Sequence, residues 1–245
     1  MSKPLVTRVG PERHTSTNIT TDRYQPQSIQ DIVFASTNNK TLLQDLISGH
    51  IPFPITQGKC GILLYGIPGT GKSALAALLP DAMEEARTGI AMNSGMKYIR
   101  VQPGNNGMTM LNAVGNQAQL VPFASHHYFV FDEVDNLNPQ AMLVLKSVMN
   151  TPNCVFILTT NNFQNVEVGV RSRCHCIPFN AAPAANWLPL AHRMLADAGI
   201  TGIADQALIK VIDLCNGDAR DIVTAIAALV LKVSRQRSAP STVVV

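Results

Sequence analysis

The chain has 245 residues, of which 46% are hydrophobic and only 14% charged, against about 25% charged in typical domains. At roughly 100–200 residues per domain this is one or two domains. The composition excludes a disordered chain, which would be charge-rich and apolar-poor. The 19 Lys+Arg and 16 Asp+Glu leave a net charge of +3, too near balance to argue for a nucleic-acid or membrane partner.

The five cysteines are an odd number without a C-x-x-C pair, which fits a reducing compartment rather than a disulfide framework. The N-terminus lacks the apolar core of a signal peptide, and no run approaches the length of a membrane span. A soluble, intracellular (cytoplasmic) protein is expected. Residues 1–22 carry no periodicity and read as a flexible arm. Ser28 to Ser48 is expected to be helical, on the apolar residues Ile29, Ile32, Val33, Leu42, Leu43, Leu46 and Ile47.

Gly61 to Tyr65 is a short apolar run of the kind a buried strand shows. A helix is expected from Lys72, disturbed at Pro80. Further strands are expected at Lys97–Val101, Tyr128–Phe131, Cys154–Thr159 and Cys176–Phe179. Helices are expected at Met108–Leu120 and from Asn138-Pro139 to Met149, where Asn caps and Pro suits the first helical position. Alternating strands and helices indicate an α/β fold whose parallel sheet is covered on both faces.

After Phe179 the strands cease. Residues 180–185 read as a linker, and helices are expected at Asn186–Ala198, Ala204–Leu214 and Asp218–Arg235. The organisation expected is an arm (1–22), a core (23–180), an all-helical lid (181–236) and a tail (237–245).

Gly66-Ile-Pro-Gly-Thr-Gly-Lys72-Ser73 matches G-x-x-x-x-G-K-[ST], between a strand and a helix. By chance the pattern arises in roughly one chain in a hundred of this length. The glycines, Gly69 and Gly71 among them, let backbone N–H groups face phosphate oxygens, and the expected nucleotide-binding stretch is Pro68, Gly69, Thr70, Gly71, Lys72, Ser73 and Ala74, running into the helix start. Lys72 supplies charge to the outer phosphates, and the Ser73 hydroxyl suits Mg2+. Asp132 and Glu133 follow an apolar strand. Alone such a pair is most often a solvated loop. Downstream of a phosphate loop, Asp132 is expected to hold the metal through water and Glu133 to polarise water for attack on the γ-phosphate. Asp135 reads as a surface or structural residue.

Asn161-Asn162 after the fourth strand reads alone as a turn, and Val170 to Cys174 as a solvated basic loop. Gly217 and Asp218 read as a helix stop followed by a helix cap.

In this order and spacing the features resemble the AAA+ ATPases, and among them clamp-loader small subunits of the replication factor C type and their phage counterparts. Arg23-Tyr24-Gln25-Pro26 with Ile29, Asp31 and Ile32 is similar to that family's N-terminal element bordering adenine, with Gln25 for the usual Arg and Phe34 for Gly. The resemblance therefore implies that Tyr24, Pro26 and Ile32 contact the base. It implies sensor roles for Asn161 and Arg220, the latter in Gly217-Asp218-Ala-Arg220. In Ser172-Arg173-Cys174 it implies an arginine that reaches the γ-phosphate of a neighbouring subunit. It covers roughly residues 22–235 and implies a P-loop αβα sandwich followed by a small helical lid. ATP and Mg2+ are the implied cofactors, in a homo-oligomeric ring or spiral with ATP sites between subunits. An arginine acting in trans is worth about 10³–10⁵ in rate.

Clamp-loader subunits of this type carry a third, helical collar domain; neither a collar nor the zinc module of bacterial motor subunits is expected in this sequence. The expected function is an ATPase that remodels or loads a DNA-replication protein, with direct DNA contact possible and no membrane partner. A nucleotide-switched scaffold polymerising on DNA or protein, a phage or plasmid helicase loader and, less simply, a monomeric kinase stand as alternatives. Cys174-His175-Cys176 lacks a second ligand pair for zinc. His126-His127 reads as a loop, Trp187 and Met194 as lid packing. Lys232, Arg235 and Arg237 could touch DNA phosphates or form a solvated face.

Overall fold

A computed structural model describes residues 21–90, 95–104 and 107–238. Most of the expected arm and tail, at 1–20 and 239–245, lie outside the described residues. The architecture is the expected one: a five-stranded parallel sheet flanked by helices, then a helical C-terminal region. The strands are β1 (Gly61–Tyr65), β2 (Met96–Arg100), β3 (His127–Asp132), β4 (Cys154–Thr160) and β5 (Cys174–Pro178). Their spatial order is β2-β3-β4-β1-β5. The helices of this part are α1 (Thr37–Ser48), α2 (Lys72–Thr88), α3 (Gly107–Ala118), α4 (Pro139–Val148) and the short α5 (Val168–Ser172).

The near-continuous apolar runs of β1, β3 and β4 follow from burial on both faces. Phe129, Phe131, Phe156, Leu158 and Leu63 face one core, shared with α3 and α4 through Leu111, Val114, Met142 and Leu145. Tyr128, Val130, Val155, Ile157, Ile62 and Leu64 face the other, shared with α1 and α2 through Leu43, Leu46, Leu75 and Leu79. Period-two alternation thus sends successive residues of one strand into two different cores. A third cluster joins α6 (Leu188–Asp197), α7 (Asp205–Asp213) and α8 (Ala219–Ser238) around Met194, Leu208, Ile212, Ile222 and Ile226.

Several expected elements are corrected. The Ser28–Ser48 helix is two elements, a 3₁₀ turn at Ile29–Asp31 and α1. Between them Ile32 and Phe34 enter the α1/α2 core while Val33 packs on the C-terminal cluster. That alternation requires extended chain, and α1 restarts where Ser36 Oγ accepts from Asn39 N–H at 3.4 Å. Pro80 does not interrupt α2, which runs through it with Leu75, Ala76, Leu79 and Met83 fully buried on both sides. The supposed basic loop contains α5, capped by Glu167, whose carboxylate accepts from Val170 N–H at 3.0 Å. Cys174 is buried in the first core and Cys176 packs against it, while His175 stands edge-on to Phe53 on the other face, as strand alternation requires.

Asn138 caps α4, its Oδ1 accepting from Ala141 N–H at 2.8 Å. Asn138→Ala should lower stability by about 1 kcal/mol, whereas Phe129→Ala, emptying a fully buried site against Phe156, should cost about 3–5 kcal/mol. Urea unfolding of the two variants checks the contrast.

Candidate nucleotide site

The turn from β1 into α2 has three glycines at positive φ: Gly66 at 149°, Gly69 at 80° and Gly71 at 99°. Side chains rarely adopt these conformations. At Gly66 there is no room either, since a Cβ would meet the Phe179 carbonyl oxygen at 2.7 Å. Thr70 Oγ1 donates to that same oxygen at 2.9 Å. The loop is therefore braced by the segment that leaves β5.

Lys72 opens α2 and is 6% exposed. Its ammonium donates to the carbonyls of Gly66 at 3.0 Å and Ile67 at 2.5 Å, bending the side chain back over the loop. Burial lowers its pKa from the ordinary lysine value, against the opposing pull of the Asp132 and Asp135 carboxylates.

Asp132 is the last residue of β3 and is buried. Its Oδ1 accepts from Ser73 Oγ at 2.7 Å and from Thr159 Oγ1 at 2.6 Å. Burial and a hydrogen bond to Asp132 push the Tyr98 hydroxyl up to about 12. Ser73 and Asp132 thus form an oxygen pair of the kind Mg2+ prefers; the donor set fits that ion.

Glu133 follows with φ 60° and ψ 49°, a left-handed conformation that is uncommon for a side-chain-bearing residue. The strain is held by three contacts. Glu133 N–H donates to Thr159 Oγ1 at 3.0 Å, Arg100 pairs with Oε1 at 3.0 Å, and Asn136 Nδ2 donates to Oε2 at 3.2 Å. Asp135 accepts from Asn162 Nδ2 at 2.8 Å, and its other oxygen is buried without a partner.

Lys72, Ser73, Arg100, Asp132, Glu133 and Thr159 line a cleft of about 630 Å³. Pro68, Gly69, Thr70, Gly71, Lys72, Ser73 and Ala74 form its floor, beside Asp132, Glu133 and Asn161. Tyr24, Pro26 and Ile32 line it together with Trp187, Leu190 and Val223 from the C-terminal helices, and Arg220 lines it from the first turn of α8. Twelve of the expected site residues therefore meet Asn161 and Arg220 in one space, although they come from segments more than 190 residues apart in sequence.

Arg173 is the exception: it is not among the described residues that line the cleft. Its Nε donates to Asn150 Oδ1 at 2.9 Å and a terminal nitrogen to the Gly169 carbonyl at 2.9 Å. It immediately precedes β5, whose Cys174 pairs with Gly61 at the start of β1. The phosphate loop leaves the other end of β1, about 16 Å along the strands at 3.3 Å per residue.

Arg100, Thr159 and Trp187 also line the cleft, without a local sequence motif that marks them as site residues. Arg100 and Thr159 acquire their positions by strand register, Arg100 pairing with Asp132 across β2 and β3. A Thr-Thr pair ending a strand beside the acidic strand was the available signal for Thr159. Among the described residues, no helix is long and apolar enough to cross a membrane.

Residues 62–179 match the model of the ATPase family associated with various cellular activities (AAA). Replication factor C small subunit 2 of Pyrobaculum islandicum is 24% identical over 209 residues, 84% of this chain and 61% of that protein. The replication factor C small subunit of Methanocella arvoryzae is 23% identical over 212 residues, 85% of this chain and 62% of that one. The chain thus spans about three-fifths of the length of these curated relatives. Among solved structures, a RuvB variant from Thermotoga maritima aligns with a TM-score of 0.65 at 14% identity, covering 88% of this chain and 68% of its own. A DNA polymerase III gamma subunit-related protein from the same organism aligns with a TM-score of 0.53 at 15% identity, covering 77% and 57%. The loop, the acidic strand end and the sheet order agree with these likenesses: the chain carries an AAA ATPase domain, distantly homologous to replication factor C small subunits.

Proposed function

We propose that this chain is a subunit of an oligomeric, Mg2+-dependent ATPase that couples ATP binding and hydrolysis to loading or remodelling a DNA-replication protein. The observation that carries the reading is the division of its expected site residues. Lys72, Asp132, Glu133, Asn161 and Arg220 share one cleft, while Arg173 stands at the far end of the sheet. An arginine placed there is unable to serve its own cleft and is available to a neighbour's.

The surroundings support each proposed role. The loop N–H groups and the start of α2 favour phosphate. Lys72, released from the Gly66 and Ile67 carbonyls, turns its charge on the outer phosphates. Ser73 and Asp132 would hold Mg2+, which would supply positive charge to offset that of the phosphates. Glu133, positioned by Thr159, Arg100 and Asn136, takes the proton of the attacking water, and Asn161 orients that water. Arg173 of one subunit stabilises charge developing on the γ-phosphate held by the next. The replication partner is supported by the distant homology to replication factor C small subunits. A scaffold that polymerises without steady turnover is the second reading, and the built Asp132-Glu133 pair favours the ATPase.

Mixing variants tests the shared site. Arg173→Ala should retain ATP binding and lose at least about 10³ of its rate, and adding Lys72→Met subunits should restore part of it. No recovery at any mixing ratio would refute the trans role. Glu133→Gln should bind ATP normally and stop turnover; unchanged turnover would remove Glu133 from its assigned role.

Lys72 also carries a stability consequence. Its folded pKa lies below the unfolded value, so the buried charge costs stability throughout neutral pH. That cost is relieved only as pH rises through the folded value toward the unfolded one. At pH 7 without nucleotide, Lys72→Met should therefore unfold at a urea midpoint equal to or above wild type, while losing ATP binding. A markedly lower midpoint would contradict the cost assigned to the buried ammonium.

A further inference from the structure

The phosphate loop touches more than its own strand and helix. Ala219 N–H, at the start of α8, donates to the Gly69 carbonyl at 2.8 Å. The Asp218 carboxylate lies so close over Gly69 that any added Cβ there would overlap it. Its Oδ1 accepts from Arg220 N–H at 2.8 Å and Asp221 N–H at 3.3 Å. One side chain therefore caps the helix that carries Arg220 and seats that helix on the loop expected to wrap the phosphates. The preceding turn is fixed as well. Asn216 and Gly217 have φ of 51° and 79°, and a Cβ at Gly217 would collide with Ala181 in the segment leaving β5. That segment's neighbour Phe179 is the one bonded by Thr70 of the loop. The loop, the connection after β5 and the start of α8 form one closed set of contacts.

We infer that Asp218 is a positioning residue that makes the conformation of the phosphate loop and the placement of Arg220 a single variable. The inference rests on the cleft being an ATP site. When phosphates settle into the loop, the Gly69 peptide is held by them. Through the Asp218 seat and the Ala219 N–H, the first turn of α8 is then held too. The capping carboxylate has its charge engaged by two α8 amides, so its work is one of shape rather than of charge toward the nucleotide. Gly69 is glycine for two reasons: its φ of 80°, and the absence of space beneath Asp218.

Two substitutions separate the seat from the cap. Serine is an equally good N-cap but lacks the outer carboxylate oxygen that lies nearest Gly69, whereas asparagine keeps both the cap and the length. Binding of a slowly hydrolysed ATP analogue is measured by titration, and hydrogen exchange of residues 220–223 is followed with and without it. In wild type and Asp218→Asn the analogue should slow exchange there by about fivefold or more, the signature of a locally stabilised unit. In Asp218→Ser the analogue should still bind, within about threefold of the wild-type Kd, and the slowing should shrink to about twofold or less, the remainder carried by the Ala219 N–H bond to Gly69. The kcat of Asp218→Ser should fall about tenfold with KM little changed, as expected when an interaction made in the transition state is lost. Wild type that binds the analogue without slowing, or Asp218→Ser that slows as wild type does, overturns the coupling alone. Wild type that binds no analogue overturns the ATP-site reading, and the coupling with it.

Discussion

The bend between β1 and α2 is the constraint on which the rest depends. Gly66, Gly69 and Gly71 hold positive φ, and the loop they make has no apolar interior of its own. It keeps its shape because other parts of the chain press on it: Phe179 through its carbonyl, Lys72 through its buried ammonium, and Asp218 through its carboxylate. A glycine-rich loop that opens a helix suits phosphate, but its backbone entropy must be offset by contacts. The parallel sheet supplies the platform, and the C-terminal helices supply the far wall.

Charge is used sparingly and locally. Residues 101–131, which include β3 up to Phe131, contain no Lys, Arg, Asp or Glu, and the next two residues are Asp132 and Glu133. Both acids are tied. Asp132 is shared by Ser73 and Thr159, and Glu133 is held by Arg100 and Asn136. The buried Lys72 sits near them with its affinity for a proton lowered by burial. A site of this kind costs stability to hold, a cost that the anion proposed to bind there would offset.

The wall opposite the loop is apolar where the floor is polar. Tyr24 packs among the C-terminal helices and donates to Asp197 Oδ2 at 3.1 Å. Arg23 also pairs with Asp197, and Arg193 with Asp31. The segment before α1 thereby bridges the sheet domain and the C-terminal helices beside the cleft. A movement of those helices would change the cleft at Tyr24, Trp187, Leu190 and Arg220 together.

Much of this was legible in the chain itself. The apolar runs at Gly61–Tyr65, Tyr128–Phe131 and Cys154–Thr159 mark buried strands because burial on both faces leaves no polar positions. The glycine spacing before Lys72 marks the loop because only that backbone makes the bend. Asn138-Pro139 marks the start of α4 because both residues act through their own local geometry. What only the tertiary structure decided is which distant residues meet. Arg100 reaches Glu133 through strand register, and Thr159 reaches Asp132 across β3 and β4. Ile32, Val33 and Phe34 abandon the helix their apolar spacing suggests because two different cores claim alternate residues. The seat of Asp218 on Gly69 joins positions 149 residues apart. Local sequence encodes backbone preference and burial within a few residues. Pairing at such separation depends on how whole layers pack, and no local pattern records it.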